Sequence, residues 1–73
     1  MWYIDEEKYR QGNGRLVSIE QEDRGYNSFY QAQNLMIDYA RAMGDIVMYD
    51  PAGRFVVVNG PDGWNYRYII YEK

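Results

Sequence analysis

The chain has no cysteine, no histidine and no threonine, and only two prolines among its 73 residues. Without cysteine there is neither a disulfide framework nor a thiolate nucleophile, and without histidine there is no imidazole to act as base or metal ligand. Only two serines, Ser18 and Ser28, and two lysines, Lys8 and Lys73, remain as nucleophiles, and none has a histidine to activate it. Long hydrophobic runs are missing too. The longest is Phe55-Val56-Val57-Val58, far short of the roughly 20 apolar residues that cross a bilayer, so no membrane association is expected. Clusters of positive charge are also absent. The eight basic residues stand singly against 11 carboxylates, giving a net charge of −3 and a pI near 4.7, which disfavours direct nucleic-acid binding through phosphate.

What remains describes one small α+β domain spanning residues 1–73. A chain of this length buries only about 60% of the surface its unfolded form exposes, leaving little room for a catalytic cavity. At the N-terminus Asp5, Glu6 and Glu7 stand where a secretory signal would carry positive charge, so a cytoplasmic protein is expected. The acidic runs Asp5-Glu6-Glu7 and Glu20-Gln21-Glu22-Asp23 read first as a solvated face. Their alternative is an acidic contact surface made by Asp5, Glu6, Glu7, Glu20, Glu22 and Asp23.

Trp2 to Arg10 reads as a strand, Asn13-Gly14 as a tight turn with positive φ at both central residues, and Arg15 to Glu20 as a return strand. Ser28-Phe29-Tyr30-Gln31 fits a capping box. From Ser28 to Met43 the apolar residues Phe29, Ala32, Met36, Tyr39, Ala40 and Met43 recur on one helical stripe, and Gly44 is placed to close the helix with a left-handed cap. Asp50-Pro51-Ala52-Gly53 matches a type I turn, and Asn59-Gly60-Pro61-Asp62-Gly63 a second turn, separating three further strands. The predicted order is ββαβββ, an antiparallel sheet with one helix packed on one face.

A four-residue second loop places Asn59 opposite Trp64 and divides the last three strands into two faces. Ile46, Met48, Phe55, Val57, Tyr66, Tyr68 and Ile70 form the bed for the helix. Val47, Tyr49, Val56, Val58, Asn65, Arg67, Ile69 and Tyr71 form the other face, and a change of one residue in loop length exchanges these roles. That second face is apolar as well, yet one helix covers only one side of a sheet. Either the sheet closes into a barrel, or the N-terminal hairpin folds across it, or Val47, Tyr49, Val56, Val58, Arg67, Ile69 and Tyr71 bind a partner. Trp64, Tyr66 and Tyr68 alternate on one strand like a stacking platform for unpaired bases, but this register turns them toward the helix.

No catalytic residue, cofactor or metal is expected. Asp50 and Asp62 are turn residues, and Gly12-Asn13-Gly14 opens a strand rather than the helix a nucleotide fingerprint needs. The helix-to-hairpin segment from Met36 to Arg54 resembles segments of small bacterial and phage domains. In size, acidity and lack of catalytic groups the chain is similar to phage-encoded inhibitors of host defence such as anti-CRISPR proteins. That resemblance implies a non-catalytic inhibitor or adaptor that occludes a protein partner, such as a host nucleoprotein complex. The competing expectations are a self-associating homodimer with a structural or regulatory role, and a binder of single-stranded nucleic acid.

Overall fold

A computed structural model describes residues Met1–Lys73. The elements follow the predicted order: β1 (Trp2–Arg10), β2 (Leu16–Gln21), α1 (Phe29–Met43), β3 (Asp45–Tyr49), β4 (Phe55–Asn59) and β5 (Trp64–Glu72). All five strands join one sheet in the order β2-β1-β5-β4-β3, and every neighbouring pair is antiparallel. The helix is neither long nor apolar enough to cross a membrane. The N-terminal hairpin docks through β1 onto β5, so the two nine-residue strands lie side by side at the middle of the sheet. The sheet thus stays open, and no second layer covers the face turned away from the helix.

Ser28 caps the helix as its sequence requires, its hydroxyl accepting the Gln31 backbone N–H at 3.3 Å. Ala32, Met36 and Ala40 are the fully buried members of the predicted stripe, while Phe29 and Met43 pack at its ends. The stop at Gly44 differs from expectation. Its N–H closes on the Ala40 carbonyl at 3.1 Å, but its backbone is extended, with φ 167°, rather than left-handed. Glycine is needed there for another reason: a Cβ would run into the Asn59 carbonyl oxygen, so its bare backbone lets the chain enter β3 beside the end of β4.

The turns decide the faces. Asp50-Pro51-Ala52-Gly53 forms as expected, with the Gly53 N–H donating to the Asp50 carbonyl at 2.8 Å. Asn13 does not take positive φ; Gly12 and Gly14 do, and the connection opens into a longer loop closed by the Arg10 N–H on the Arg15 carbonyl. In the β4–β5 hairpin the Gly60 N–H reaches the Trp64 carbonyl at 2.8 Å. The loop is therefore only Pro61–Gly63, with Asp62 and Gly63 both at positive φ. Asn59 lies opposite Asn65, not Trp64. One residue fewer in the loop exchanges the two faces of β4.

Val56 and Val58 accordingly sit opposite Tyr68 and Tyr66 beneath the helix, 1% and 0% exposed. The expectation that they bind a partner is corrected by this register. Phe55 and Val57, expected under the helix, lie across from Ile69 and Arg67 on the open face. The β5 assignment stands: Tyr66, Tyr68 and Ile70 join Ile4, Val56 and Val58 in the core, with Tyr26 also buried. With Tyr66 and Tyr68 buried, the alternating aromatics of β5 are not available as a stacking platform.

Candidate functional site: the open face of the sheet

Alternation along β1 and β5, fixed by their continuous pairing from Trp2↔Glu72 to Arg10↔Trp64, sends Tyr3, Asp5, Glu7 and Tyr9 to the same side as Asn65, Arg67, Ile69 and Tyr71. Phe55 and Val57 extend that surface across β4. β2 adds Ile19 opposite Glu7 and Leu16 opposite Tyr9; β3 adds Met48 opposite Val57. The result is a face of large aromatic and aliphatic side chains, partly buried by one another along its middle strands and exposed at Leu16, Ile19 and Met48 on its edges.

At its centre stands Arg67, on the middle strand. Its Nε donates to Glu7 Oε1 at 2.6 Å, the only ion pair in the molecule. Tyr9 donates its hydroxyl to the same carboxylate oxygen at 2.7 Å. The guanidinium lies 5.6 Å from the Phe55 ring and 6.0 Å from the Tyr9 ring, distances at which a cation is drawn to an aromatic face. Burial pushes the Glu7 carboxyl upward, but hydrogen bonds from Arg67 and Tyr9 and the Arg67 charge outweigh it, leaving Glu7 below its ordinary value. The Glu7 hydrogen bond holds Arg67 above its own, and burial raises the Tyr9 phenol. Because only Nε is engaged, both terminal nitrogens of the guanidinium have no partner within the chain. The side chain is 37% exposed, against 13% for Glu7, so its free end faces outward while its anchor is sheltered.

Toward the other end of the face Tyr3 and Tyr71 stack with centroids 6.0 Å apart, and the Tyr71 hydroxyl accepts from the Gln21 side chain. Beside them Asp5 has one carboxylate oxygen that is fully buried and without a hydrogen-bond partner. Leaving such an acceptor unsatisfied costs about 1–3 kcal/mol.

Of the residues expected to bind a partner, the structure gathers Arg67, Ile69 and Tyr71 on this face. Val47 and Tyr49 are exposed on the edge strand β3 instead. A bulge puts Val47 between Ile46 and Met48, without a partner of its own on β4, and turns Tyr49 to the side of Val56. The acidic set splits. Asp5 and Glu7 belong to the open face, and Asp23 is exposed in the loop after β2. Glu6, Glu20 and Glu22 rim a groove of about 440 Å³ on the helix side, floored by Ile4, Tyr39, Met43 and Tyr68. There Tyr68 donates to Glu6 at 2.7 Å, and Tyr26 and Tyr39 donate to Glu22.

Sequence reading missed Tyr3, Tyr9 and Phe55. The period of two along β1 carried the signal for both tyrosines, since Trp2 and Ile4 mark the buried side and Tyr3 and Tyr9 fall on the opposite one; for Phe55 the signal was the length of a loop. No residues stand in an arrangement suited to a metal ion. Compared with known protein families, with curated proteins and with solved structures, the chain matches none.

Proposed function

We propose that this is a non-catalytic binding protein of the cytoplasm that lays the open face of its sheet on a larger protein and occludes the surface beneath, as an inhibitor or adaptor of the phage anti-defence kind does. The observation that carries this reading is the Arg67 centre. A guanidinium held in place by Glu7, flanked by Phe55 and Tyr9 and with its two terminal nitrogens unengaged, is set to make a two-pronged bond to a carboxylate. Its surroundings are aromatic and aliphatic, as at the well-packed centre of a protein interface, where arginine and tyrosine dominate binding. The partner that fits is an apolar protein surface presenting an acidic side chain. A standard interface takes about 800 Å² from each partner, roughly a sixth of this molecule's 4722 Å² surface, an area a five-stranded face supplies. Asp5 and Glu7 on the same face oppose phosphate and so weigh against nucleic acid.

The test is affinity capture from bacterial lysate with and without nuclease, run in parallel with the wild type, Arg67→Glu, Phe55→Ala and, as control, Tyr30→Ala on the exposed side of the helix. A protein retained by wild type and Tyr30→Ala, resistant to nuclease and lost with Arg67→Glu and Phe55→Ala while both variants still unfold cooperatively, is the expected result. Equal capture by all four proteins, or capture abolished by nuclease, overturns it.

A further inference from the structure

The sheet has two free edges, and six of the molecule's nine exposed large apolar side chains lie on them: Leu16, Val17 and Ile19 on β2, and Val47, Met48 and Tyr49 on β3. An exposed apolar edge is a template for another strand. Each edge carries one bulge, at Val17 and at Val47, which limits pairing there. Charge separates the two. β3 is flanked by Asp45 and Asp50, so antiparallel pairing with its own copy sets aspartate against aspartate at both ends. β2 instead has ends of opposite charge, with Arg15 before it and Glu20, Glu22 and Asp23 at its far end. Antiparallel pairing with its own copy brings each Arg15 to the acidic end of the other.

Two further features point the same way. The Glu22 N–H donates to the Ile4 carbonyl, so the alternation of an antiparallel ladder turns the N–H and C=O of Gln21 and Ile19 away from β1, toward the free edge. Pairing centred on Ile19 sets Ile19 against Ile19 and brings Arg15, which the bulge at Val17 turns to the helix side beside Arg10, toward Glu20 and Glu22 of the other copy, whereas centring on Glu20 would oppose like charges. On the helix side Glu6 and Glu20 already stand directly across from each other on neighbouring strands, a destabilising placement, and the chain's single ion pair lies elsewhere. An arginine from a second copy supplies the cation that neither glutamate finds within its own chain.

We infer that β2 is a self-association edge, joining two copies antiparallel about Ile19 into one ten-stranded sheet with both helices on the same side. This pairing is independent of what the open face binds, although it would merge two such faces into one. The experiment is sedimentation equilibrium across protein concentrations from about 10 μM to about 1 mM, at low and high salt. Wild type is expected to pass reversibly from 8.7 kDa to twice that mass, less readily at high salt. Ile19→Lys, at a position 55% exposed, opposes two ammonium groups across the two-fold axis and should weaken the dimer at least about tenfold. Arg15→Glu should weaken it less, and Arg15→Glu combined with Glu20→Arg should restore it, with unchanged circular dichroism throughout. Arg67→Glu should leave the mass as it is in wild type, which separates this edge from the open face. A monomer at every concentration, assemblies beyond two chains, or a dimer broken by Arg67→Glu but not by Ile19→Lys overturns the inference.

Discussion

On its helix side the sheet buries Ile4, Val56, Val58, Tyr66, Tyr68 and Ile70 beneath Ala32, Met36 and Ala40. On its other side Phe55, Val57, Ile69, Tyr3, Tyr9 and Tyr71 have only one another. Both faces carry large aliphatic and aromatic side chains, so residue type alone does not distinguish them. The polar groups do. On the covered face the most deeply buried phenol of β5 ends in an internal bond: Tyr68 donates to Glu6 at the margin, and burial with that carboxylate raises the Tyr68 phenol well above its ordinary value. The open face instead carries a charged pair at its centre, with four of the guanidinium's five N–H donors unengaged. Polar atoms that end in internal bonds make a core; polar atoms that point outward from an apolar surround make a contact surface.

The largest expected effect breaks this comparison at its strongest point. Met36 is 1% exposed between helix and sheet, and Met36→Ala should cost about 2–5 kcal/mol through lost burial and the cavity left behind, enough to unfold much of a domain this small. Urea denaturation followed by circular dichroism measures it. Next, Phe55→Ala removes a large apolar side chain from the open face, where one side already meets water, and should cost only about 1 kcal/mol. If the two substitutions destabilise equally, the open face is as integral to folding as the covered one, and its value as a docking surface falls with the distinction.

How far this division was legible in the sequence depends on which interactions set it. The helix was legible because its signals are local: the Ser28 hydroxyl, the spacing of Ala32, Met36 and Ala40, and a glycine at 44. Sorting β5 into Tyr66, Tyr68 and Ile70 on one side and Arg67, Ile69 and Tyr71 on the other was equally local, since alternation within a strand needs no partner. The faces of β4 were not legible. Phe55, Val56, Val57 and Val58 are all apolar, so alternation gives no preference, and the choice passed to the loop, where Gly60 pairs with Trp64 and leaves three residues rather than four. Strand order was out of reach for a related reason: β1 pairs with β5 across sixty residues, and no feature local to either strand names the other. The candidate site inherits both limits. Arg67, Ile69 and Tyr71 were found from one strand, while Phe55, Tyr9 and Glu7 join them only through pairing.

The smallest effect sharpens the comparison by titration. The depressed Glu7 carboxyl stabilises the fold at pH values above its unfolded value near 4.5, and that stabilisation is lost as pH falls through the lower folded value. Wild-type Tm should therefore drop through this acid window. In Arg67→Met the strongest opposing influences disappear: the Arg67 hydrogen bond and charge are gone, Tyr9 alone remains, and burial pushes the Glu7 carboxyl up. The sign then reverses for this group, since a carboxyl raised in the folded state favours folding when protonated, so its contribution grows as pH falls. Because the Arg67 side chain is 37% exposed, solvent screening keeps the pair to about 1 kcal/mol or less, and the informative quantity is the difference between the two proteins across the window rather than either curve alone. Thermal melts from pH 7 to 3 should show the Arg67→Met deficit shrinking steadily toward the acid end. A deficit that stays constant with pH would mean that Arg67 contributes packing against Phe55 and Tyr9 and not charge, and the centre of the open face would then be an aromatic cluster with an arginine lying over it, without the oriented fork that an acidic partner needs.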